Sequence, residues 1–515
     1  MLIEPVVRFQ VHRKGDEVDQ SSAGADFLQL RPHEAPPKGL TDWLADALRR
    51  AVADGRLAAG TRLPATRVLA GELDVSRGVV VEAYQRLAEE GIVSARTGAG
   101  TVVTPLITGP RAPTRPAEPG APSVEIDLSP GVPDLSAFPR ARWLKAERAV
   151  LDQLSTADLG YGDPRGAPRL RSELAGWLAR TRGIPANPEE IVVVSGVAQS
   201  LALLWHLLRA RGVTDVAVED PGSQGARDQL GTWGLRPTPV PVDRHGIRVD
   251  RIAAEHVVVT PAHQFPTGVV LAPHRRRELL EWARSGGMDG RLIVEDDYDA
   301  EHRYDRAPVP ALRASSSELV AYTGSTSKSL APGLRLGWLI PPRRLLGDVV
   351  AIKHDTDLGC PVIPQLVLAH LIATGELDRH IRLMRGRHRL RRDALIAALR
   401  ETLPAARVHG VAAGIHLLVT FDGSAVDDRA LARRLEDDGI RVHPLSRHRI
   451  GAGESGLVLG YAAHPPDRLR EAAKRIGTAI SQRRTSGTGR RATNPPRATP
   501  PDRRGGPAAA RRRTR

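Results

Sequence analysis

The chain has 515 residues, 41% hydrophobic and 26% charged, enough for about two or three domains with their own cores and too apolar for a disordered protein. No segment reaches the roughly 18 consecutive apolar residues of a membrane span, and the N-terminus MLIEPVVRFQVHRK lacks the apolar centre of a secretory signal, so a cytoplasmic protein with no membrane partner is expected. The single cysteine, Cys360, excludes an internal disulfide and a thiolate metal cage, and reads as a buried, inert thiol.

The net charge of +15 is concentrated at one end. From Arg483 to Arg515 eleven arginines accompany one acid, Asp502, which supplies +10 and leaves +5 for the other 482 residues. Residues 481–515 are rich in Pro, Gly, Arg and Ala, cannot repay the entropy of ordering, and read as a disordered basic tail, either attracted to polyanions or solvated without a partner.

Residues 1–25 read as an N-terminal extension, and 26–104 as a module of helices closed by a hairpin. LTDWLADALRRAV puts Leu40, Trp43, Leu44, Ala47, Leu48 and Ala51 on one helical face and stops at Asp54-Gly55. A second helix, RLPATRVLAGEL, starts at Pro64 and Thr66; Ser76 caps a third, SRGVVVEAYQRLAEEG, which ends at Gly91. IVSARTGAGTVVT then supplies β-branched runs about a glycine turn, a wing. Two helices joined by a short turn, with a basic residue just inside the second, suit insertion of that helix into the major groove of double-stranded DNA. Lys38 to Thr104 carries nine bases against eight acids, so binding must rest on a local patch. Arg62 and Arg67 near the second helix, Ser76 and Arg77 at the start of the third, and Arg96 beside Gly98 and Gly100 form it.

Residues 105–124 (PLITGPRAPTRPAEPGAPSV) are studded with proline and read as a semi-rigid linker. Over residues 125–480 the apolar runs IVVVS, VAVED, HVVVTP, RLIVEDD, LVAYTGS and LRLGWLI alternate with helical stretches such as QSLALLWHLLRA and HRRRELLEWARSGG. That is the pattern of an α/β fold, a mostly parallel sheet covered by helices, with ligands at the carboxyl ends of the strands.

Three strand ends stand out. Val194-Ser195-Gly196 leads into a helix, a turn whose amides can hold a phosphate; no GxGxxG follows an early strand and no GxxxxGK[ST] occurs, so dinucleotide and P-loop readings lose ground. Leu292-Ile293-Val294 runs into Glu295-Asp296-Asp297-Tyr298, where an acid can keep a heterocyclic nitrogen protonated or bind a metal, or where the run is a solvated loop. The deciding stretch is TGSTSKSLAPGLRLGW: Lys328 lies among small hydroxyl residues, with Arg335 seven positions later. A hydroxyl-rich loop and an Arg fork suit a phosphate, and a nearby amine forms a Schiff base with an aldehyde. Phosphate, aldehyde and a pyridine nitrogen facing Asp296 together describe pyridoxal 5'-phosphate, PLP. Lys328 is then the Schiff-base lysine, its pKa lowered by neighbouring positive charge and desolvation; Asp296 keeps the ring protonated; Tyr298 bonds the ring's 3-oxygen; and Ser195, Gly196, Ser325, Ser327 and Arg335 hold the phosphate. No metal is expected.

The segment RLAAGTRLPATRVLAGELDVSRGVVVEAYQRLAEEGIV resembles the GntR-type winged-helix domain of bacterial transcription regulators. Its DNA contacts, carried over by position, implicate Arg67, Ser76 and Arg77, while Gly78 and Val81 stand where relatives often have polar or basic residues. The rest resembles fold-type I aminotransferases, which implies a smaller C-terminal α+β subdomain. The full chain is similar to the MocR group, which joins the two, through DLGYGDPRGAPRLRSELAGWLARTRG, SGVAQSL, VEDPG, TPAHQFPTG, VEDDYDAEHRY, YTGSTSKSLAPGLRLGWL and LDRHIRLMRGRHRLRRDAL, in family order. The resemblance implies a transcriptional regulator that senses PLP or an amino compound as its small-molecule effector, a head-to-tail homodimer, and a Tyr161 that contacts the cofactor phosphate of the other subunit. It also marks departures. Ser223 follows VEDPG where the family usually supplies a ring-stacking Tyr; His263, Gln264 and Phe265 precede Pro266 where Asn is common; and Leu457-Val458-Leu459 lacks the Arg that binds a substrate carboxylate in active aminotransferases, leaving Arg447 or Arg449 as substitutes. A working aminotransferase with a DNA-binding appendage, and a DNA-binding protein whose larger part is only a dimerisation scaffold, are the alternatives.

Overall fold

The structure, a computed structural model, describes residues 28, 30, 32–36, 39–54, 56–96, 100–104, 124–287, 290–299, 301–304, 309–410, 413–421 and 426–487. The extension 1–25, Gly98, the linker up to residue 123 and the tail beyond Gly487 lie outside them. The chain divides into two compact units, Met1–Ala121 and Pro122–Arg515.

In the first unit, α1 (Leu40–Ala53), α2 (Thr66–Glu72) and α3 (Arg77–Glu89) precede the antiparallel pair β1 (Val93–Arg96) and β2 (Gly100–Val103). Leu44, Leu48 and Ala51 of α1, spaced by three and four, meet Leu69 of α2, Val80, Ala83 and Leu87 of α3, and Val93 and Val103 of the wing in one buried cluster. Gly91, at φ +72°, ends α3, and the next amide, of Ile92, reaches back to the Leu87 carbonyl at 2.9 Å. Ser76 does occupy the position before α3 in an extended conformation, but its side chain makes no capping bond. Its hydroxyl therefore stays open to a ligand, with the amides of Arg77 and Gly78 beside it, while the Val79 amide bonds the Ser76 carbonyl at 3.1 Å.

The second unit opens with β3 (Ile126–Asp127), α4 (Arg140–Leu151), α5 (Pro168–Arg182), β4 (Val192–Val194) and α6 (Val197–Ala210). Next come β5 (Asp215–Asp220), α7 (Gln224–Thr232), β6 (Arg236–Asp243), β7 (Gly246–Ile247), β8 (His256–Val259), α8 (Pro273–Arg284), β9 (Leu292–Asp296), β10 (Val320–Ser325) and β11 (Gly337–Ile340). These strands form one eight-stranded sheet in the order β4-β11-β10-β9-β8-β5-β6-β7. The interior pairs β10–β9–β8–β5–β6 are parallel; β11 runs antiparallel to both neighbours, and β7 to β6. Alternation buries both faces: Val193, Tyr322 and Trp338 enter one core cluster with Trp177, while Val192, Val194, Ala321 and Leu339 enter another with Trp205.

Strands β3 and β6 are among those that escaped the hydropathy pattern. β6 reads RPTPVPVD, and its prolines at alternate positions put three missing amide donors on one side of a strand whose only other neighbour is the short β7. β3, just after the linker, pairs parallel with β14 (Ile440–Arg441), more than 300 residues on, Ile126 opposite Ile440.

After β11, α9 (Arg343–Asp357), α10 (Val362–Ala373) and α11 (Glu376–Thr402) lead to the C-terminal subdomain. There β12 (Ala406–His409), β13 (His416–Phe421), β16 (Gly456–Gly460) and β15 (His443–Pro444) form an antiparallel sheet in that order. It packs with α11, α12 (Asp428–Asp437) and α13 (Pro466–Gly487) around Leu399, Leu417, Leu435, Leu459 and Ile476. α13 carries the helix past residue 480, to Gly487.

Candidate functional site

In the winged-helix unit, salt bridges sort the arginines. Arg49 is tied to Glu90 (2.7 Å) and Asp46, Arg86 to Glu82 (2.6 Å) and Asp42, and Arg56 to Asp54 (3.5 Å). Arg62, Arg67 and Arg77 are exposed and have no ion pair with a described residue. Arg50 on α1 likewise has only a backbone carbonyl as partner among the described residues, and the other three lie just before α2, at its start and at the start of α3. Arg62 pairs its backbone with Val102, and its guanidinium lies against Gly100, where a Cβ would come within 2.9 Å of Nε. Arg96 stands opposite Gly100 in the wing.

In the second unit the alternation of β9 decides which of three adjacent acids is available. Glu295 accepts the amides of Leu312 (2.8 Å) and Arg313 (3.0 Å). Asp297, on the same face, binds Arg182 (2.6 Å) and the Tyr322 hydroxyl (2.7 Å). Asp296 points to the other face, and its Oδ1 is buried without a hydrogen-bond partner. Burial, reinforced by Asp297 and Asp299 and opposed by Lys328, pushes its carboxyl up to about 7.

Lys328 sits in the turn after β10, and its Nζ donates to the carbonyl of Gly131 at 2.5 Å. Burial lowers its pKa, with Asp299 and Asp296 pulling the other way. The lowering comes from desolvation, not from the neighbouring positive charge expected from the sequence. The His302 ring hydrogen-bonds to the Lys328 carbonyl at 3.1 Å and braces that turn.

The three strand ends meet at one place. Gly196, at φ +117°, starts α6; a Cβ there would come within 3.3 Å of the Arg335 guanidinium, and a Cβ on Gly337 within 2.9 Å of the Gly196 Cα. Ser195 donates its amide to Gln199 Oε1 (2.8 Å), and the Ser327 amide reaches Ser325 Oγ (3.3 Å). Arg335 itself is exposed and makes one long bond, to the Pro332 carbonyl (3.5 Å).

Tyr298 does not stand alone: its hydroxyl lies 3.1 Å from both Nδ1 and the carbonyl oxygen of His263. His263 Nδ1 is also 2.9 Å from Asp299 Oδ2, and the His416 ring lies 4.9 Å from that of His263. Burial alone would raise Asp299, but His263, with His416 and His302 behind it, brings it below the usual range. Gly414, at φ +80°, makes room for this pair, since a Cβ there would strike the His263 ring and lie 2.7 Å from Asp299 Oδ2. Asp299 and His416 were not singled out from the sequence. A glycine two residues before the strand, Gly414, was the one local hint.

Other expected residues lie apart. Tyr161 is 93% exposed and lines a cleft of about 1030 Å³ with Leu159, Leu358 and Cys360, whereas Lys328 does not line it. Cys360 is half-buried beside Lys353, 3.5 Å from its Nζ, and burial raises its pKa. Arg447 is exposed, with Nε donating to Gln224 Oε1 at 2.6 Å. Ser223 accepts the Ala226 amide at 3.3 Å and caps α7, a local reason for a small hydroxyl residue there.

A winged helix followed by a fold-type I sheet with a lysine, an acid and an anion-binding turn at its strand ends defines a regulator built on an aminotransferase-like domain. Residues 40–103 match the gntR family of bacterial regulatory proteins and residues 124–476 match aminotransferase class I and II. The chain belongs to the MocR type of the GntR transcriptional regulators, which joins these two domains. It is 33% identical to the HTH-type pyridoxine biosynthesis transcriptional regulator PdxR of Corynebacterium glutamicum, over 88% of this chain and 98% of that protein. It is 32% identical to the probable rhizopine catabolism regulatory protein MocR of Rhizobium meliloti, over 86% and 94% of the two chains. Among solved structures, Pyrococcus horikoshii kynurenine aminotransferase in complex with PMP superposes with a TM-score of 0.63 at 26% identity, over 70% of this chain and 91% of that one. The fold is thus that of PLP-dependent aminotransferases, and the relatives favour a regulator over an enzyme. No helix among the described residues is long and apolar enough to cross a membrane.

The position of Asp296 makes a pH prediction. Its folded-state pKa of about 7 lies above that of an unfolded aspartate. The folded protein therefore holds the extra proton between the two values, and stability falls as pH rises through that window. Cofactor-free Asp296→Asn should match wild type in denaturant midpoint near the acid end and exceed it increasingly up to neutral pH. A constant difference across the window would contradict the assignment.

Proposed function

We propose that this regulator is a cytoplasmic homodimer that binds PLP at Lys328 and changes its affinity for operator DNA with the state of that site. The observation that carries this is the pairing of a desolvated lysine with a buried, partnerless carboxylate oxygen at neighbouring strand ends, beside a glycine turn backed by an arginine. These residues fit the cofactor. Asp296 would face the pyridine nitrogen; Tyr298, oriented by His263, would donate to the 3-oxygen; Ser195, Gly196, Ser325, Ser327, Arg335 and the α6 amides would hold the phosphate. When bound, PLP supplies an aldehyde that condenses with amines and a ring that withdraws electrons. Burial lowers the pKa of the Lys328 amine and so favours the uncharged form that reacts.

The dimer reading is supported by the exposure of Tyr161 together with Leu144, Leu151, Leu159 and Leu358, an apolar surface of the kind that marks protein contacts. The relative named for pyridoxine biosynthesis supports a vitamin B6 compound as one ligand. A working aminotransferase is disfavoured because Val458 packs among Leu418, Leu445 and Phe265 on the strand expected to carry the carboxylate-binding arginine.

For DNA, Arg62, Arg67 and Arg77 with Ser76 form the proposed face, with Arg96 and Gly98 in the wing. Arg77→Ala should weaken binding to an operator duplex and reduce the salt dependence of log K by about one. Arg86→Ala, which breaks internal pairs, should leave that slope unchanged. Equal slopes for wild type and Arg77→Ala would remove Arg77 from the interface.

Sensing has its own test. Operator affinity of wild type should differ with and without PLP, and Lys328→Ala should lose that difference. Four identical affinities would eliminate the sensing step.

A further inference from the structure

The layer between Lys328 and the C-terminal subdomain holds imidazoles and apolar groups where a substrate-binding cation was expected. β16 sends Leu457 and Leu459 into the subdomain core, while Val458 packs against Leu418, Leu445 and Phe265. The Phe265 ring lies 4.9 Å from His448, 5.0 Å from His416 and 6.2 Å from Tyr298, so one aromatic layer joins Val458 to the mouth of β9.

The imidazoles of this layer are buried, His263 at 2%, His416 at 1% and His448 at 4% exposure. Each keeps one ring nitrogen without a partner: Nε2 of His263, Nδ1 of His416 and Nδ1 of His448. Burial, with His263 and Lys328 beside His416 and with His443, Arg227 and Arg447 beside His448, holds both at about 3, so both are neutral at physiological pH and cannot stand in for an arginine.

No nearby guanidinium packs on Val458. Arg447 is exposed on Gln224; Arg449 is half-buried with its guanidinium against Gly453 and its Nε without a partner; Arg227 donates to the carbonyls of Gly222, Arg447 and His448. The acids Asp296 and Asp299, by contrast, act on the Lys328 amine directly.

Resting on the cofactor reading, we propose that the ligand this site takes beside the cofactor is a primary amine carrying a neutral hydrogen-bonding group and no carboxylate. A carboxylate brought against Val458 loses its water and gains no cation. An ammonium meets Asp299, the acid that acts most strongly on the Lys328 amine, and a hydroxyl meets the open imidazole nitrogens, with Phe265 beside them. Val458 is the specificity-determining position.

Tyramine and L-tyrosine differ by the carboxylate alone and serve as the probe pair. Full-length protein loaded with PLP is titrated with each, followed by calorimetry and by visible absorbance. Tyramine should bind at least about tenfold more tightly than L-tyrosine, and Val458→Arg should move the preference toward L-tyrosine. Equal or tighter binding of L-tyrosine to wild type overturns the proposal, whether or not the variant folds. Binding of neither, with the visible cofactor band present, overturns it as well and leaves a site for the cofactor alone. Absence of that band before any amine is added is a distinct failure, of the cofactor reading itself, and removes the proposal with it.

Discussion

The second unit depends on a buried electrostatic imbalance. Asp296 and Lys328 face a common space from neighbouring strands, the acid lacking a partner for one oxygen and the amine held only by a backbone carbonyl. Burying an ion without its counter-charge costs several kcal/mol, so the pKa of Asp296 is raised and that of Lys328 lowered, each toward its uncharged form. A ligand with a basic ring nitrogen, a reactive carbonyl and an anion would relieve both, and the Gly196 turn with Arg335 stands ready for the anion. The sheet sorts the three acids, because the period of two on β9 gives Glu295 two backbone amides and Asp297 the Arg182 guanidinium, and turns Asp296 to the other face with no cation bound to it.

The same sorting of charges operates in the winged helix. Its acids neutralise Arg49, Arg56 and Arg86 and brace α1 against α3, and Arg62, Arg67 and Arg77, around α2 and the start of α3, are among the arginines left without an ion pair to a described residue. Net charge of the module was a poor guide because it averages the two populations. Both units thus keep function at the positions where compensation has been withheld.

Much of this was legible in the sequence. Strands β4, β5 and β8 to β11 stood out because a sheet buried on both faces demands continuous apolar runs, and Lys328, Asp296 and Gly196 were visible because each ends such a run. What failed to show was non-local. β6 hides behind prolines that an edge tolerates, and β3 pairs with a strand far along the chain. His263, Asp299 and His416 come from three separate segments whose spacing carries no periodic signal; only the folded backbone, with Gly414 clearing the space, makes them a cluster. The open Ser76 hydroxyl was likewise invisible, since a cap position and a used cap read alike.

The account stands on the chemistry of one amine. Purified full-length protein incubated with PLP, reduced with borohydride, digested and analysed by mass spectrometry should carry a single phosphopyridoxyl group, on Lys328. An unmodified Lys328, or the group placed on another lysine, would contradict the account and leave the second unit without its proposed ligand.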